Sequence, residues 1–139
     1  MAFMSQRFQS DALLHSSGRY VILYHQMPAA ADRRSHWDLM FEVSTGLRTW
    51  AIETQPKPGL QAAAMALPVH RLEYLDYEGP VSRNRGVVKR IDSGTYLTGT
   101  VDAAVWKIQL KGRLLRCRLT LQEVEHHQGV WHFCFSDEG

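Results

Sequence analysis

The stretch SHWDLMFEV, Ser35 to Val43, holds a histidine and an aspartate two residues apart in an otherwise apolar run. Residues at that spacing in a strand project from the same face, so His36 and Asp38 can touch one ion. A second histidine, His25, ends the preceding apolar segment RYVILYHQM. If the connection between the two segments folds back as a long hairpin, His25 comes to lie beside His36. Two imidazoles and one carboxylate suit Zn or Mn and leave positions open for water and substrate. Such an ion can polarise a phosphoryl oxygen and generate a hydroxide-like nucleophile near neutral pH. Two other readings fit the same spacing. His36 and Asp38 can be a solvated pair on an outward face, or they can join His70 as the facial triad of a non-haem iron oxygenase of cupin-like fold.

The elements that must position these residues read mostly as strands. Arg19 to Met27 is rich in β-branched and aromatic residues and follows SSG. His36 to Val43 alternates, with Trp37, Leu39, Phe41 and Val43 expected to face a core and His36, Asp38, Met40 and Glu42 expected to face away from it. LRTWAIE follows the turn STG as a third strand. LQAAAMALPVHRLEYLDYEGP is ambiguous, since Ala62 to Leu67 has helix propensity that Pro68 would end; its neighbours tip it to strand. GVVKRIDSGTYLTGTVD and VWKIQLKGRLLRCRLTLQEV read as strands broken at DSG, TG and KG, and GVWHFCFSD as a last one. Seven or eight short strands predict a mainly β fold, a small antiparallel β-barrel with one or two short helices. Residues 1–18 read as a lead-in segment and 19–139 as a single domain.

Composition narrows the function classes. A chain of 139 residues, 45% hydrophobic, builds one modest core. A formal charge of +2 lacks the field of a general DNA coater, so any nucleic-acid contact is local. No apolar run approaches the roughly 20 residues that span a bilayer, and no amino-terminal apolar leader is present, which predicts a cytoplasmic protein with no membrane partner. Cys117 and Cys134 both sit in strand-like segments and read as free thiols. His15, His126, His127 and His132 read as surface or structural residues.

The order RYVILYH, HWDLMFE, LRTWAI, HRLEYLDYEG, DSGTY resembles the 3′-phosphoesterase domain of bacterial DNA ligase D, from about Arg19 to the carboxyl end. The resemblance implies a small β-barrel with a manganese-dependent site that trims 3′ ends of DNA or RNA, removing a terminal ribonucleoside and then the 3′-phosphate. It implies that His25, His36 and Asp38 are metal ligands, that His70 contacts the phosphate and that Tyr74 lies near it. It further implies a primer-strand 3′ end as substrate, with separate ligase or polymerase repair proteins as candidate partners. The chain departs from the family pattern at Met40, Thr54 and Ala62, where the family carries phosphate-holding cations. Its loop between His25 and His36 is longer, and the family's amino-terminal arginine and acidic residues have no evident match. Charge-assisted contacts are worth about 1.5–3 kcal/mol each, so these losses keep open a module that binds a nucleic-acid end or a repair protein without hydrolysis. Arg33, Arg34, Arg83, Arg85, Lys89 and Arg90 are nearby cations that could substitute.

Overall fold

The computed structural model describes residues 14–101 and 105–137; most of the lead-in, residues 1–13, lies outside the described residues. Nine strands form in chain order: β1 (Ser17–Gln26), β2 (His36–Val43), β3 (Gly46–Ile52), β4 (Gln61–His70), β5 (Gly79–Pro80), β6 (Val87–Val101), β7 (Val105–Gly112), β8 (Arg116–Glu123) and β9 (Val130–Asp137). Eight of them follow one another as β1-β2-β3-β4-β9-β8-β7-β6, and β6 pairs back onto β1. Every pairing is antiparallel, so the sheet closes into the expected barrel and leaves no long edge. Among the described residues the expected helical content reduces to a single 3₁₀ turn, Leu72–Leu75. No helix among the described residues is long and apolar enough to cross a membrane.

Inward-facing residues of all eight strands fill the interior. Trp50 stands at its centre, edge-on to Trp131 at 5.4 Å, Phe133 at 5.5 Å and Phe41 at 5.9 Å. Offset and edge-to-face pairs of this kind add to the area that aromatic rings remove from water. Asp92 is buried among them. It accepts hydrogen bonds from the Tyr20 hydroxyl (2.7 Å) and from the backbone N–H groups of Leu114 (2.9 Å) and Leu115 (3.1 Å), so its charge is fully met. Gly112 makes room for this knot, since a Cβ there would collide with the Tyr20 hydroxyl and the Asp92 carboxylate. Cys117 and Cys134 are not joined in a disulfide.

Two expectations need correction. The strand broken at DSG and TG is one continuous strand, β6, which absorbs its small residues in bulges and close approaches; Gly94 pairs with Gly112, where backbone from β7 leaves no space for a side chain. The face of β2 expected to point away from the core is also buried: His36 and Asp38 are each 2% exposed and Met40 is 1% exposed. The chain between β4 and β6 must travel from one side of β3 to the far side of β1, and it crosses the outer wall of β1, β2 and β3 on the way. Leu75 and Val81 from this crossing segment pack with Val21, Leu23, Met40 and Leu47 into a second apolar cluster outside the barrel. β2 is therefore covered on both faces, and its polar residues sit beneath a lid of chain.

Candidate metal centre

The β1–β2 hairpin is in register such that His25 pairs with His36 and Leu23 with Asp38. Paired residues share a face, so His25, His36 and Asp38 all project onto the outer wall under the crossing segment. The long loop between the strands therefore does bring the two imidazoles together, 4.9 Å apart between ring centres. One ligand atom from each of the three residues lies within 4.8 Å of the others, and among the described residues no other such group of His, Cys, Asp or Glu forms. His70 is outside the cluster, so the structure does not bring together the His36, Asp38 and His70 expected of an oxygenase triad.

The hydrogen bonds around the imidazoles fix which nitrogen faces inward. His36 donates from Nδ1 to the Arg34 carbonyl at 2.9 Å, which leaves the Nε2 lone pair 3.2 Å from Asp38 Oδ1. His25 donates from Nε2 to the Arg85 carbonyl at 2.5 Å, which leaves Nδ1 3.6 Å from Asp38 Oδ2. Backbone carbonyls that hold the outer nitrogen of a histidine are what orients ligating imidazoles in metal sites. His36 Nε2 and Asp38 Oδ1 are both buried and without a hydrogen-bond partner. Facing each other 3.2 Å apart out of water, these two atoms call for positive charge between them, which a proton or a metal ion supplies. Burial works against ionisation of Asp38, but His25 and then His36 outweigh it and hold the carboxyl below its usual range. Asp38 in turn raises the pKa of His25 against the opposing effect of burial, with help from the Arg85 carbonyl. The donor set of two nitrogens and one carboxylate fits Mn or Zn.

His25 and Asp38 open onto a cleft of about 690 Å³, which His70 and Tyr74 also line. His70 reaches it because of a bulge. Thr49 pairs with Leu67 but Leu47 pairs with His70, so β4 carries one extra residue there, next to Pro68, which has no N–H to give a ladder. Without that bulge Leu47 would meet Val69, and His70 would turn toward the barrel interior. His70 donates from Nδ1 to the Pro68 carbonyl at 2.8 Å, which leaves Nε2 for the cleft. Its ring meets Tyr74 at 6.0 Å, and Tyr74 meets Tyr77 at 5.8 Å.

The three departures from the family's cations fall in two places. Met40 forms part of the cleft wall, whereas Thr54 and Ala62 line a separate depression with His36 and Arg33. Of the six nearby cations named from sequence, Arg33 and Arg85 line the cleft, and Arg71 joins them. The roles of the Arg34 and Arg85 carbonyls had no signature in the sequence, because backbone acceptors are common to every residue.

A family model described as the DNA Ligase D 3′-phosphoesterase domain matches residues 28–132. His36, Asp38, His70 and Tyr74 fall inside the matched span and His25 just before it. A search of curated proteins gave no match.

Proposed function

Because this chain belongs to the DNA ligase D 3′-phosphoesterase domain family, we propose that it is a metal-dependent phosphoesterase that processes 3′ ends of DNA or RNA in repair. The observation that carries the reading is the buried, unpartnered pair of His36 Nε2 and Asp38 Oδ1 facing each other beside His25. His25, His36 and Asp38 hold the ion, with manganese the expected metal and zinc the alternative. A divalent ion there supplies positive charge beside the phosphoryl oxygens and eases deprotonation of water at neutral pH.

The rest of the work falls to side chains. Asp38, ionised, would offset half the charge of a divalent ion, and the Arg34 and Arg85 carbonyls keep each imidazole in the tautomer that presents its lone pair. As a hydroxide attacks the phosphorus, charge builds on the phosphoryl oxygens and on the departing oxygen, the strand's 3′ oxygen when phosphate is released and the terminal ribonucleoside's 5′ oxygen when that is removed. The Tyr74 hydroxyl donates to that charge, and His70, held at Nδ1 by the Pro68 carbonyl, donates from Nε2 when its ring carries both protons and gives that proton to the leaving oxygen. The crossing segment supplies one wall of the cleft through Tyr74, Tyr77 and Val81.

The test is phosphate release from a primer-template carrying a 3′-phosphate or a 3′-terminal ribonucleotide, in Mn, Zn, Mg or EDTA. Product that depends on the metal and disappears in Asp38→Ala is the expected result; equal product from the variant sinks the assignment. The apolar wall at Met40 favours one second reading, a module that binds 3′ ends without cutting them. Binding that persists in EDTA, with no product in any metal, selects it. Separate ligase or polymerase proteins are the partners this activity would serve.

A further inference from the structure

The wall of the cleft at Met40 offers no charge, so a phosphate beside the ion must be met from the rim. The rim cations are Arg33, Arg71 and Arg85, with Glu73 among them. Only Arg85 has a guanidinium held in place by the protein: Nε donates to the Ser82 carbonyl at 2.9 Å and Nη2 to Ser82 Oγ at 3.1 Å. Its backbone is fixed as well. Val81 N–H bonds to the Gly86 carbonyl at 2.8 Å, and the turn between them runs through left-handed conformations at Arg83 (φ 62°), Asn84 (φ 54°) and Gly86 (φ 89°). The Arg85 carbonyl receives the His25 N–H, which ties the residue to a proposed metal ligand.

Two of the five guanidinium N–H groups are used on Ser82, and three remain. Among the described residues no carboxylate lies within ion-pair distance of Arg85, in contrast to Arg19, paired with Asp76, and Arg34, paired with Glu53. An arginine whose fork is oriented in advance loses less entropy when it takes up an anion, and planar forks match phosphate oxygens in pairs. We propose that Arg85 is the phosphate-anchoring residue of this cleft, binding the non-bridging oxygens of the terminal phosphate in place of the cation missing at Met40. The inference rests on the phosphoesterase reading for the identity of its ligand.

The experiment is fluorescence anisotropy of a labelled oligonucleotide with a 3′-phosphate against the same strand with a 3′-hydroxyl, in EDTA so that nothing turns over. The wild-type protein prefers the phosphorylated end. Arg85→Ala weakens binding of that end by about 10- to 100-fold and removes the preference, while Arg85→Lys keeps part of it. Arg113→Ala, a cation outside the cleft, leaves the preference intact. Manganese affinity of Arg85→Ala, measured by calorimetry, stays within about threefold of wild type, since the carbonyl that holds His25 belongs to the backbone. A preference retained in Arg85→Ala, a wild type with none, or a parallel loss of manganese binding each overturns the proposal. Failure of wild type to release phosphate in manganese would instead remove the phosphoesterase reading, leaving the anisotropy comparison to decide Arg85.

Discussion

At the scale of the residue, the chain uses buried carboxylates in two ways that differ in what completes them. Asp92 has three donors within the protein, whereas Asp38 has an oxygen with none. The first is a structural knot and the second is a site. Burial, followed by the hydrogen bond to Asp92, pushes the Tyr20 hydroxyl far above its usual 10.0. A raised value in the folded state means that the stabilisation is complete below pH 10 and is lost as pH climbs above it. Tyr20→Phe should therefore lower stability by about 1.5–3 kcal/mol at neutral pH, because a bond to a charged acceptor is lost. It should also flatten the fall in stability above pH 10. Urea melts at pH 7 and pH 10.5 check both; equal steepness in the two proteins would contradict the account. The types and spacing of His36 and Asp38 were legible in the sequence because strand geometry has a strict period of two. Their burial was not, since it depends on chain that arrives some forty residues later.

At the scale of the element, the site is made by a hairpin, a bulge and a crossing segment. The hairpin was readable in outline: two alternating runs joined by a polar loop place His25 opposite His36. The bulge in β4 was hidden in an ambiguous stretch, where Pro68 reads as a helix stop as readily as a ladder break. Without it His70 could not share a cleft with Asp38. The crossing segment is locked down at Gly86, whose φ of 89° and contact with the Gln26 carbonyl leave no room for a Cβ. Gly86→Ala should lift this turn off the end of β1 and withdraw the Arg85 carbonyl from His25. Manganese affinity is then expected to fall by about tenfold or more, with a loss of about 1–3 kcal/mol in stability. Thermal melts with and without manganese read both quantities; a variant that gains as much from the metal as wild type would show that the Arg85 carbonyl is not needed.

At the scale of the whole molecule, closure explains why a chain of 139 residues can keep a polar cluster buried on its outer wall. The barrel core, centred on Trp50, is complete without that wall, so the second cluster around Leu23, Met40 and Val81 is free to frame a cleft. The mainly β barrel followed from alternation and turn residues, although the sequence suggested seven or eight strands where nine form among the described residues. The wrapping of the outer wall did not, because it is a property of topology: the chain must pass from β4 to β6 around β1 to β3. A net charge of +2 fits a protein that grips one phosphate at a cleft and does not coat a duplex. The central claim is that one divalent ion is held by His25, His36 and Asp38. Anomalous diffraction from crystals soaked in manganese tests it most directly. One strong peak is expected about 2.0–2.3 Å from His25 Nδ1, His36 Nε2 and an Asp38 carboxylate oxygen. A peak elsewhere, or density at the trio explained by water alone, would contradict it.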